Sequence, residues 1–174
     1  MTSIDSNNPS FIISCPSSII ITSHLEKVSS TSETHSANFK SLFLTNDNRN
    51  YWSDRFFNLS FEKLKNGGSV EKQLTWFDFF LFTANNETSL NVIKNVLDGN
   101  LTFENLTIDQ DKRWRIINRL SAYNFSNPLN IIEHEKENDP GDLGNKKAYF
   151  ATVSIPNSEI KAENWQDFIS NKDN

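Results

Sequence analysis

Apolar residues recur at helical spacing over most of the chain after about Asn50, and the turn residues between them mark where each helix begins and ends. Val70, Leu74, Phe77 and Leu81 fall on one helix face. Ser69 is expected to cap that helix, after Gly67 and Gly68 have stopped the one before it. A second helix starts near Asn86 and carries Leu90, Ile93 and Leu97, and Gly99 occupies the left-handed position after its end. Thr107 with Gln110 reads as a capping-box pair. The helix it opens carries Trp114, Ile117 and Leu120, with Ile116 and Tyr123 widening the stripe. Pro128 opens the next, with Leu129 and Ile132. After the turn Asp139-Pro140-Gly141-Asp142 comes a helix with Ala148, Phe150 and Val153. Pro156 and Ser158 start the last, which carries Ile160, Trp165, Phe168 and Ile169.

No run of alternating strand character follows residue 50. Short loops between helices make neighbours antiparallel. The expected fold is therefore all-α, with antiparallel helical hairpins stacked as a HEAT/armadillo-like α-solenoid. The capped starts at Ser69 and Thr107 lie 38 residues apart, close to the two-helix period of such repeats. The helix with Trp76, Phe77, Phe79, Phe80 and Phe82 has rings on more than one side. It is expected to be central, and to leave some rings exposed as an interface unless something covers them.

Composition changes the picture at the N-terminus. Residues 1–36 contain 11 Ser and 4 Thr with only four charged groups. Residues 1–45 are read as a Ser/Thr/Asn-rich, partly flexible segment, with Ile19, Ile20 and Ile21 as a possible short buried run. Residues 46–174 are read as the helical domain. A net charge of −5 argues against a nucleic-acid partner. One cysteine, Cys15, excludes an internal disulfide and a Cys-rich zinc site. No apolar stretch approaches the length of a membrane span, and Phe11 to Thr22 is a poor signal peptide. A soluble cytoplasmic protein is expected.

The candidate chemistry is sparse. His134-Glu135-Lys136-Glu137-Asn138 begins like the zinc motif H-E-x-x-H but has Asn138 in place of the second histidine. The acidic residues Glu133, Glu135, Glu137, Asp139 and Asp142 do not converge as cation ligands and read as a solvated face. Asp109 with Arg113, and Asp111 with Arg115, are acid-before-base pairs one turn apart. The functional alternative for Arg113, Arg115 or Arg119 is to meet a peptide carboxylate. Five N-x-S/T triplets, at Asn58, Asn86, Asn100, Asn105 and Asn124, are no more than chance gives in a chain so rich in Asn, Ser and Thr. No catalytic or metal-ligating residue is assigned, and peptide-contacting residues stay unknown.

Three stretches carry a resemblance. They are Gln73-Leu74-Thr75-Trp76, then Val96-Leu97-Asp98-Gly99, then Leu106-Thr107-Ile108-Asp109-Gln110-Asp111-Lys112-Arg113-Trp114. With Glu135-Lys136-Glu137-Asn138-Asp139 and the tail from Ile155 to Trp165, this resembles the end of bacterial aminopeptidase N over residues 50 to 170. The resemblance implies the C-terminal helical domain shared with endoplasmic-reticulum aminopeptidases, which closes over a zinc catalytic domain and walls a peptide chamber. The family's G-x-M-E-N and H-E-x-x-H motifs are missing here, so zinc would belong to a catalytic domain elsewhere. No activity is expected of this chain alone. Its implied partner is that catalytic domain or a second copy, with peptides possible. The alternative is a stand-alone helical-repeat module binding a protein or peptide.

Overall fold

The computed structural model describes residues 45–170, excluding the side chains of residues 46, 47, 167 and 168. The expectations for residues 1–36, for Ile19 to Ile21 and for Phe168 lie outside the described residues. Those described form helices and loops without a named strand: α1 (Asn46–Lys65), α2 (Val70–Thr83), α3 (Glu87–Leu97), α4 (Gln110–Ala122), α5 (Pro128–Asn138), α6 (Asp142–Ser154) and α7 (Ser158–Ser170). None of them is long and apolar enough to cross a membrane.

The helix boundaries follow local chemistry. Gly67, at φ +71°, ends α1 in the left-handed region that a Cβ disfavours, and Gly99, at φ +77°, does the same after α3. Asn86 caps α3 through a reciprocal box, its side chain accepting from Ser89 N while the Ser89 hydroxyl accepts from Asn86 N. One cap differs from expectation. Thr107 stays in the loop, and Asp109 is the N-cap of α4, its carboxylate accepting from Lys112 N at 3.0 Å. An aspartate there also places negative charge at the positive end of the helix dipole. Ser69 takes the N-cap position of α2 but makes no side-chain capping bond.

The first two helices form a ring-filled hairpin. Phe57 stacks on Phe80 with centroids 4.8 Å apart, and Phe56 meets Phe79 at 5.8 Å. The Gln73 amide donates to Leu64 O at 3.2 Å. Residues rising along α1 therefore meet residues falling along α2, and the pair is antiparallel. This pairing overturns the expectation that the rings of α2 exceed what can be buried. Phe77, Phe79 and Phe80 are completely buried, and Trp76 and Phe82 are half-buried. The reason is that α1 brings its own layer of Trp52, Phe56, Phe57 and Phe61. The apolar face runs out at the first turn of α2 instead, where Val70 and Leu74 are exposed.

From there the helices keep a register. On α2 and α4, Asp78 meets Arg115 and Phe82 meets Arg119, an offset of 37 residues each time. On α4 and α6, Asp111 meets Lys147 and Asn118 meets Ser154, an offset of 36. Because partner numbers rise together, α2, α4 and α6 run the same way, side by side. One continuous core runs through them, with Leu90, Ile93 and Leu97 of α3, Trp114, Ile116, Ile117 and Leu120 of α4, Ile132 of α5 and Ala148 and Ala151 of α6. Besides Val70 and Leu74, four stripe residues depart from expectation: Tyr123, Leu129, Phe150 and Trp165 are exposed. Tyr123 lies past the last turn of α4, where Arg119 stacks on its ring at 4.8 Å.

Candidate functional site

Helix α4 reaches the helices around it through polar side chains. Its residues Gln110, Arg113, Trp114 and Arg119 point at the ends of other helices. Arg113 grips Glu135 of α5 in a bidentate pair, Nε to Oε1 at 2.7 Å and Nη2 to Oε2 at 2.6 Å. Gln110 adds a third bond to Oε1 at 2.7 Å. The remaining arm of Arg113 donates to Leu97 O, the last carbonyl of α3, at 2.9 Å. Arg119 does the same for α2, donating to Ala84 O at 2.7 Å and Phe82 O at 2.6 Å. Helix C-termini leave carbonyls without intrahelical partners. Two arginines of one helix thus close the ends of the two helices before it. Trp114 Nε1 donates to Asp139 at the end of α5, at 2.8 Å.

This arrangement overturns three expectations. Neither acid-before-base pair on α4 forms as expected. Arg113 pairs with Glu135 and Arg115 with Asp78, while Asp109 takes Lys112 and Asp111 takes Lys147. Stacking brings partners from other helices into the same reach, and a buried bidentate partner outcompetes an exposed neighbour one turn away. The acidic residues are also not one solvated face. Glu135 is 2% exposed and Asp139 is tied to Trp114, leaving Glu133, Glu137 and Asp142 on the surface. Finally, both ends of Arg113 and Arg119 are engaged within the fold, so neither presents a fork to a peptide carboxylate.

Burial alone would push the Glu135 carboxyl up. The hydrogen bonds from Arg113 and Gln110, with the attraction of the guanidinium, reverse this and hold it below the ordinary carboxylate range. The same hydrogen bond raises Arg113 against its own desolvation. Asp109 is held low chiefly by the Lys112 side chain, then by the Lys112 backbone. These are the shifts of a structural ion pair and a helix cap. His134 is exposed, with Glu137 at 3.8 Å as its neighbour. Among the described residues no group of three or more His, Cys, Asp and Glu side chains could hold a metal ion.

The open surface lies at the other end of the stack. A cleft of about 600 Å³ between α5 and α6 is lined by Leu129, Ile132, Glu133, Lys136, Tyr149 and Thr152, among others. A smaller one of about 280 Å³, between α6 and α7, is lined by Tyr149, Val153, Lys161, Asn164 and Trp165. Tyr149 belongs to both. Sequence periodicity placed the stripe residues Leu129, Val153 and Trp165 in the core. The signal that separates them is their clustering on the last three helices, where no further helix follows in the described residues.

No family model matches the chain. Over 99 residues it is 31% identical to aminopeptidase N of Streptomyces lividans, an alignment that takes in 57% of this chain and 11% of that protein. The chain therefore spans about a ninth of the length of the relative it matches, and this homology marks an aminopeptidase N-related region within it.

Proposed function

We propose that this chain is a non-catalytic helical domain of aminopeptidase N type, the C-terminal lid and chamber wall of a zinc peptidase whose catalytic part lies elsewhere. The observation that carries the reading is the same-sense register of α2, α4 and α6 at 36 to 37 residues, the spacing of stacked helix pairs of HEAT type. It accords with the homology to aminopeptidase N. The chemistry of α4 supports the same role. Its arginines are spent on helix ends and on Glu135, which makes a stiff wall. A peptide meeting such a wall would find the Tyr149 clefts, with Lys136 and Lys161 to attract a carboxylate. The second reading, a stand-alone interaction module, draws on the exposed apolar side chains of α5 to α7.

Metal content and aminopeptidase turnover of the pure chain test the non-catalytic reading together. The expected result is no stoichiometric zinc and no cleavage of aminoacyl-naphthylamides above the blank. One zinc per chain with turnover abolished by a chelator would overturn it.

A further inference from the structure

Helix α6 is apolar on opposite sides. Gly144, Ala148 and Ala151 face the core. At 100° per residue, Leu143, Lys146, Phe150 and Val153 lie on the other side. Leu143 is 66% exposed and Phe150 60%. A helix that is apolar on both sides belongs between two layers; among the described residues α7 reaches the second side only at its Val153 edge and leaves Leu143 and Phe150 open. We infer that the outer face of α6 pairs with the same face of a second copy across a two-fold axis. The inference does not depend on the aminopeptidase reading.

Three features commit the face to a second copy. The first is register. The intervals along Leu143, Lys146, Phe150 and Val153 are three, four and three residues, the same in either direction. An antiparallel copy crossing at Ala148 sets Leu143 opposite Val153 of the second copy, and Lys146 opposite its Phe150. The axis repeats both contacts, as a two-fold interface requires. The second is charge. Lys146 makes no ion pair among the described residues, and the register puts it over an aromatic ring and away from its own copy, a favourable cation–π arrangement. The third is area. Tyr149 and Phe150 touch at 6.1 Å, and Tyr149 joins Leu129 on one side to Trp165 on the other. At 150–250 Å² per aromatic ring, the exposed parts of Leu129, Leu143, Tyr149, Phe150 and Trp165 come to roughly 500 Å². A standard interface takes about 800 Å² from each partner, a little over half of it apolar. The patch is thus about what one face of a stable dimer needs. At the other end of the stack, Val70 and Leu74 are the exposed large apolar side chains among the described residues.

Sedimentation of the full chain at tens of micromolar tests this against Phe150→Glu and a Val70→Glu control, with helicity checked by circular dichroism. The expected result is twice the chain mass for the parent and for Val70→Glu. For Phe150→Glu the dimer should weaken at least about 100-fold, with helicity unchanged. A second arm replaces Cys15 by Ser and introduces Leu143→Cys with Val153→Cys. A short bismaleimide should then bridge two copies, and either cysteine alone should bridge poorly. A single-chain mass throughout, a dimer that Phe150→Glu leaves intact, or a dimer in which the cysteine pair does not bridge would overturn the inference.

Discussion

Helices α4 and α6 lie side by side and run the same way, with contacts 36 residues apart, and solve the burial problem in opposite ways. Helix α4 has neighbours on both sides. Its polar side chains reach across to them, to Glu135 and Asp139 on one flank and to Asp78, Phe82 and Ala84 on the other. Helix α6 has α4 and α5 on one flank and α7 at an edge, and its outer face keeps Leu143, Tyr149 and Phe150 exposed. In a stacked fold the inner helix is specified by polar contacts that no other register satisfies. The outer helix carries surface that only another layer can cover. The same stripe of apolar residues therefore means core in α4 and interface in α6, and neighbours decide which.

Removing the ring at the centre of α4 should have the largest effect. Trp114 is 3% exposed, and Trp114→Ala is expected to cost ~3–5 kcal/mol in chemical denaturation, the range for deleting a large buried ring. Trp114→Phe should cost less while releasing Asp139. A loss below about 1 kcal/mol for the alanine would end the description of α4 as the hub.

Next comes the ion pair. Arg113→Ala leaves Glu135 buried without its charge partner and should cost about 3 kcal/mol. Its pH dependence sharpens the point. The folded-state value of Glu135 lies below the ordinary 4.5, so its contribution is complete above pH 4.5 and is lost as the pH falls through the folded value. Glu135→Gln should be less stable than the parent at neutral pH, yet lose less of its stability on acidification below pH 4.5. Parallel acid titrations of the two proteins would contradict the assignment.

Gly144 offers a smaller test inside α6. A Cβ there would lie 1.9 Å from Asp139 O, so the turn into α6 depends on a missing side chain. Gly144→Ala is expected to cost ~1–3 kcal/mol by thermal denaturation. Smallest is the exposed stripe, where Phe150→Ala should change monomer stability by less than about 0.5 kcal/mol. A larger loss, measured at a concentration where only monomer is present, would place Phe150 in the core and erase the contrast between the two helices.

The sequence carried the helices well because their signals are local: the Asn86 start, Pro128 at a first turn, Gly67 and Gly99 past helix ends. It carried tertiary partners poorly. Arg113 finds Glu135 22 residues away and Arg115 finds Asp78 37 away, whereas a reading along one helix sees only the acids one turn back. Rings on α2 looked excessive because their counterparts, Trp52, Phe56, Phe57 and Phe61, lie on α1, whose pattern is dominated by polar residues. Glu135 was hidden among exposed acids, since nothing in a run of alternating carboxylates marks the one that turns inward.

The central claim, a wall domain that works on a catalytic part it does not contain, is tested most directly by reconstitution. Aminopeptidase N of Streptomyces lividans would be made without the region that matches this chain, co-expressed with the chain, purified and assayed. The account expects a complex that copurifies and regains peptide turnover absent from the truncated enzyme alone. An enzyme that regains turnover when its own matching region is added back, and neither binds nor responds to this chain, would contradict it.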